Sequence, residues 1–349
     1  MIMAKEARPL SFTSFGTVFN NAEISVQEAF EEANLNYKVD AQPLVRVPQN
    51  VLDALVEGTP TLWTPTKKDI ITSHKATYRD DYNHTLGVVG RDYGIVQNSK
   101  AFEFLDFIEE CSGHAPKIVS AGALGYGERM FITAQLGEDA YLNPNDAVKN
   151  YVVFTNAHDG TGAVMCFFTP IRVVCQNTLN MAIKSCPNKV VFKHTKHVEK
   201  RLDWEIAANR EKAKEVFSKS VKFSEEFLDQ MMMLKAQVVD TAFVNDFTAQ
   251  MYLNPAQMKL LKQANGEFDK VDEISTRAKN QINALRDAIV NGVGQEENRG
   301  TKLWLLNGVT TFLHNERNYK SVEDEFKSMI EGDALKKTQK AYDLLTKVA

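Results

Sequence analysis

The sequence predicts an α+β protein: an antiparallel sheet with short helices and a β-β-β-α core over residues 1–187, then a mostly helical region over 188–349. Three observations predict it. β-rich segments set off by Gly, Asn and Asp turns crowd the first half. Helix-forming residues crowd the second, and the composition changes near Pro187. Asp159-Gly160 lies between two apolar runs, which is a strong hairpin signal. The chain has 349 residues, 44% hydrophobic and 25% charged. Those fractions are ordinary for a globular chain and exclude a disordered tail, a collagen-like rod or a disulfide-dense mini-domain.

Taken in order, short helices are expected at 25–34 and at 48–57, the second opening after Pro48. The alternation of ITSHKATYRD suits a half-exposed strand over 71–80. TLGVVG and YGIVQN flank Arg91-Asp92, with Gly90 and Gly94 as turn residues, and read as a hairpin over 85–98. An amphipathic helix follows at 99–111, completing the β-β-β-α unit. Strands are expected at 117–124, 128–136, 150–158 and 163–169, and a helix at 176–185. The second half reads as helices at 193–222, 224–236, 240–252, 255–264, 271–291, 299–314, 320–330 and 333–347. Asn254-Pro255 and Gly292-Val293-Gly294 mark breaks.

No stretch of about 18 apolar residues is present, so no membrane span is expected. The opening residues do not read as a secretory signal. Cys111, Cys166, Cys175 and Cys186 match no common zinc spacing and read as small buried thiols, which points to the cytosol. No Walker-type phosphate loop, H-E-x-x-H or G-x-S-x-G occurs. GALGYGER leads into a strand and reads as a turn. No cofactor or metal is expected.

The net charge of −4 hides a local imbalance. Residues 1–190 carry −5 and residues 191–349 carry +1, yet 189–222 alone carries +5. On a helix, Lys193, His197, Lys200 and Arg201 would share one face, with Lys196 and His194 beside them. Such a stripe suits phosphates. In the β half, Arg79, Arg91, Arg129 and Arg172 are interleaved with Tyr78, Tyr82 and Tyr93. Arginine on phosphate and tyrosine under bases is the chemistry of sequence-tolerant single-strand binding. Two other clusters are candidates for acid–base or metal chemistry: His158-Asp159, and Asp80-Asp81 with Asp92.

LGVVGRDYGIVQNSKAFEFLD, SAGALGYGERMFITAQL and NAHDGTGAVMCFFTPIRVVCQNTLNMA resemble the phage/plasmid-like protein family known as domain of unknown function 932. KHTKHVEKR and GTKLWLLNGVTTFLHNER fit its pattern too. The resemblance implies a phage, prophage or plasmid setting and supplies no catalytic residues. The predicted β-β-β-α order is also similar to the core of single-strand annealing recombinases of the Red-beta/RecT type, by topology alone.

The expectation is a mobile-element protein that binds single-stranded nucleic acid, and in its sharper form anneals it, without nucleotide hydrolysis. Arg79, Arg91, Arg129 and Arg172 would meet the backbone and Tyr82 and Tyr93 the bases. Lys193, Lys196, Lys200 and Arg201 would form an outer cationic wall with His194 and His197. Homo-oligomers would be expected. Two alternatives stand beside it. One is a metal-dependent enzyme on nucleic acid or nucleotides, using the aspartates or the His158-Asp159 pair. The other is an interaction or anti-defence protein that offers Trp304, Leu305, Val309, Phe312 and Leu313 to a host partner.

Overall fold

In the middle of the main sheet, consecutive residues are buried, not just alternate ones. A computed structural model describes residues 15–19, 24–112, 116–143, 146–172, 177–178, 190–198, 226–292 and 295–346. The central strands are β6 (Arg129–Asn143), β7 (Asp146–Ala157) and β8 (Val164–Arg172). Met130, Ile132, Val152, Phe154, Cys166 and Phe168 point to one face, where they meet Phe30, Leu105 and Ile108. Phe131, Val153, Met165 and Phe167 point to the other and meet Phe326, Met329 and Ile330. Burial on both faces is what turns a strand into a continuous apolar run.

These strands belong to an antiparallel sheet in the order β1-β5-β6-β7-β8-β10, with β9 also on β8. Here β1 is Thr17–Val18, β5 Lys117–Leu124, β9 Asn177–Thr178 and β10 Val190–Phe192. One face is covered by α1 (Val26–Glu32) and α3 (Lys100–Ser112). Ser25 opens α1 with a reciprocal capping box to Glu28. The other face is covered by α8 (Val322–Ile330), so the two halves of the chain share a core. A second small sheet, β2-β3-β4, is built from Val39–Val45, Ile70–Arg79 and His84–Gly90. Helix α2 (Gln49–Val56) lies between β2 and β3 in the chain.

The remaining helices form their own core. Residues 226–236 are helical, followed by α4 (Thr241–Tyr252), α5 (Pro255–Gln263), α6 (Thr276–Asn291), α7 (Lys302–Thr311) and α9 (Asp333–Thr346). Helix α7 is buried all round and passes into a π-helical turn, Phe312–Glu316. Trp304, Leu305, Val309, Phe312 and Leu313 are therefore core residues and not a surface for a partner. Among the described residues, no helix is long and apolar enough to cross a membrane.

The α+β class and the helical second half stand, but some elements differ from expectation. The 85–98 hairpin is replaced by the pairing of β3 with β4 through the turn Asp80–Asn83. Residues 93–97 form no strand, because their polar groups are satisfied elsewhere. The Gln97 amide accepts from Val39 N at 3.1 Å and donates to Val39 O at 2.8 Å, standing in for a strand partner. Strand β2 supplies the missing member of the three-stranded sheet. It contains Pro43, which is tolerated because β2 is an edge strand that bulges at Pro43/Leu44. The order leading to α3 is thus β2-α2-β3-β4. The helix expected at 176–185 begins instead as β9, and its later residues lie outside the described ones. The helix expected from 193 is preceded by β10, and 193–197 is loop and turn. Lys193 and His197 therefore do not share a helical face, and Lys200 and Arg201 lie outside the described residues.

Candidate nucleic-acid interface

Two chain segments far apart in sequence clasp one another beside the small sheet. Arg91-Asp92 turns the chain away from β4, and Gly94 comes to rest against the 193–198 loop. Gly94 N donates to His194 O at 3.3 Å, and His194 Nδ1–H donates back to Gly94 O at 2.9 Å. The Tyr93 ring stacks on His194 with centroids 4.5 Å apart, and its hydroxyl donates to Ala157 O at 2.7 Å. A Cβ on Gly94 would run into the Thr195 carbonyl oxygen, so glycine permits the close approach.

The clasp leaves a groove of about 460 Å³ in front of it. Lys75, Arg91, Lys196 and His197 line it, Tyr93 forms part of its wall, and Asp40 is the sole carboxylate among its described lining residues. The Arg91 side chain is 72% exposed, and its contact with Asp92 is a loose 3.8 Å. An exposed pair of that kind contributes little, so the guanidinium is free to meet an anion. Lys75 was not singled out by the sequence reading. It alternates with Thr77 and Arg79 along β3, and that period was the available signal.

The other expected contact residues lie elsewhere. Arg79 is buried and fully engaged: Nε and Nη2 donate to Asp81 at 2.7 and 2.6 Å, and Nη1 donates to Tyr126 O at 2.7 Å. This pairing holds the Asp81 carboxyl below the usual carboxylate range. Arg79 is also sandwiched by the rings of Tyr37 at 3.9 Å and Tyr82 at 4.8 Å. Tyr82 is exposed, at the far end of the β3–β4 hairpin from the groove. Beside it, exposed Tyr126 stacks on His84 with centroids 4.0 Å apart, a pair the sequence reading missed. Arg129 has no exposed surface and faces inward, with Nη2 3.1 Å from Glu331, so it is not a phosphate contact. Arg172 ends β8, opposite Val148 and Asn177. Lys193 is exposed but does not line the groove. Tyr93 has one ring face covered by His194, which restricts it to the other face.

The candidate acid–base and metal clusters are not assembled. Asp80 accepts from Lys38 N and Asp81 binds Arg79, whereas Asp92 follows Arg91, whose N–H donates to Ser73 O. Ser73 and Asp80 are seven residues apart along an extended strand, roughly 23 Å. Asp159 accepts from Thr161 and lies 3.6 Å from Lys327. His158 is buried, and burial pushes its pKa down to about 3. Asn98 donates to Leu35 O, which fixes its amide so that Oδ1 accepts from His158 Nε2–H at 2.8 Å. Burial thus keeps the imidazole neutral at neutral pH, and its hydrogen bond to Asn98 ties it into the core. Among the described residues, no group of three or more His, Cys, Asp or Glu is placed to hold a metal ion.

The sheet flanked by helices on both faces, with a groove lined by Lys75, Arg91 and Lys196 beside a small second sheet, defines an α+β protein. A family model matches residues 85–331, and the chain belongs to the domain of unknown function 932 family (DUF932). No curated protein and no solved structure matches it.

Proposed function

We propose that the protein binds single-stranded nucleic acid in this groove and does so without chemistry. The observation that carries the reading is the convergence of Lys75, Arg91, Lys196 and His197 from three separate segments around one opening. Tyr93, in the groove wall, would offer a base a surface. A role in strand annealing by a phage- or plasmid-borne element, as a homo-oligomer, is the fuller form of the proposal. It draws its support from the resemblance of the sequence motifs.

Fluorescence anisotropy of a labelled single-stranded oligonucleotide tests it. Three phosphate contacts, from Lys75, Arg91 and Lys196, predict a slope of about −2 in log K against log salt, a loss of roughly 20-fold between about 50 and 200 mM. Arg91→Glu with Lys196→Glu should weaken binding at least about tenfold and flatten that slope. No binding at about 50 mM salt, or a variant that binds like the parent, refutes the proposal.

A further inference from the structure

A second cationic cavity lies in the helical region, remote in sequence from the groove. Helix α4 ends at Tyr252, and Asn254 caps α5 with Pro255 in its first turn, which bends the chain sharply. Helix α9 crosses beside this bend. The three elements enclose about 820 Å³. Leu253, Met258 and Leu344 give the cavity an apolar floor. Lys259 and Lys262, one turn apart on α5, and Lys340 of α9 give it a positive rim, and among the described residues no carboxylate lines it. Asp246 lies 3.7 Å from Lys262. Asp333, on the α9 side, is already held by Arg317 at 2.6 Å and Lys337 at 3.1 Å.

Lys340 is fixed in place, since its Nζ donates to Met251 O at 3.1 Å at the end of α4. Burial and the neighbouring Lys337 lower its proton affinity. A bound anion would relieve that cost, which Met251 O offsets only in part. Ligand cavities of a few hundred to about 1,000 Å³ that combine an apolar floor with a few placed polar groups are typical of small-molecule sites.

We propose that this cavity is a nucleotide-unit site, taking a phosphate on Lys259, Lys262 and Lys340 and a base on the Leu253–Met258–Leu344 floor. The nucleotide can be free or part of a strand, since both present the same chemistry. The site does not rest on the groove. Its test therefore uses two variants of the whole chain: Lys259→Glu with Lys262→Glu in the cavity, and Arg91→Glu with Lys196→Glu in the groove. ATP is titrated by calorimetry and a labelled oligodeoxythymidylate by anisotropy, both at low salt. The cavity variant should lose at least about tenfold in affinity for one probe or both, while the groove variant keeps the ATP response. Loss for ATP assigns a free nucleotide; loss for the oligonucleotide alone assigns a strand. Thermal unfolding checks that the variant folds, and Lys340→Gln provides an independent change at the same rim. If both probes bind the cavity variants as they bind the parent, or if neither binds the parent, the proposal fails.

Discussion

Acid should destabilise this protein before most of its carboxylates protonate. His158 and His314 have no more than 1% of their surface exposed. Burial pushes their pKa values down to about 3 and about 4, from 6.5 for a free imidazole. Among the described residues, both ring nitrogens of His314 and Nδ1 of His158 lack hydrogen-bond partners, and the nearby Asp159 charge offsets only part of the burial that disfavours a proton on His158. Above pH 6.5 the folded and unfolded chains are both neutral at these positions, and the full stability is present. As pH falls below 6.5 the unfolded chain binds two protons that the folded chain refuses, so stability is lost progressively down to the folded values. At about pH 5 each histidine sits 1.5 units below its unfolded pKa, which costs about 2 kcal/mol apiece and about 4 kcal/mol together. That is a large share of the ~5–15 kcal/mol that holds a typical domain. His194, whose pKa burial also lowers, adds in the same direction. Urea unfolding at about pH 7.5 and about pH 5 measures the difference. His158→Gln keeps a donor for Asn98, and His314→Leu fills the same apolar space. The double variant should show a markedly flatter pH dependence. If the parent is equally stable at both pH values, or if the double variant loses as much as the parent, the reasoning is wrong.

Two further outcomes follow from the packing. Glu331→Ala leaves the Arg129 guanidinium buried with its ion pair gone, so it should cost about 3–5 kcal/mol in urea unfolding. Replacing Arg129 by Met in the same chain should recover most of that loss, and an additive double variant would refute the pairing. Gly94→Ala should force the 93–97 segment off the 193–198 loop. It should cost about 1–3 kcal/mol and weaken oligonucleotide binding along with it. Unchanged affinity at reduced stability would separate the clasp from the groove.

The elements legible in the sequence were those whose signals were local. The Asp159-Gly160 turn, the strands on either side of it and α1 all fell within a residue or a few of expectation. The elements that were missed depend on contacts distant in sequence. VDAQPLV looks unlike a strand because of Pro43, and only its edge position makes that residue acceptable. YGIVQN looks like a strand, yet Gln97 pairs by its side chain with Val39, 58 residues away. The site followed the same rule. Arg91, Tyr93, Lys196 and His197 were named from composition and do line one groove. Arg79 and Arg129 carried the same composition signal. Their carboxylate partners, Asp81 two residues away and Glu331 202 residues away, take them out of play. Nothing in the residue types distinguishes a guanidinium aimed at solvent from one aimed at a buried partner.

That distinction also explains how a chain of net charge −4 can present cationic sites. Several of its carboxylates are spent neutralising bases that serve the fold. Asp81 holds Arg79, Glu331 holds Arg129, Asp159 and Glu323 hold Lys327, and Asp333 holds Arg317 and Lys337. Lys75, Lys196 and Lys259 have no ion-pair partner among the described residues, and Arg91 and Lys262 have loose ones at 3.8 and 3.7 Å. The potential an approaching phosphate meets is set by these unneutralised groups within about 8–10 Å, because salt screens the remainder. Among the described residues, the acidic excess of the first half therefore opposes the proposed binding chiefly through Asp40, which lines the groove, and Asp92, 3.8 Å from Arg91. Asp40→Asn should accordingly tighten oligonucleotide binding by a few fold and leave the salt slope nearly unchanged, since it adds no phosphate contact. Weaker binding in Asp40→Asn would mean that the carboxylate positions Lys75 or Arg91, and would assign Asp40 to the site as a positioning residue.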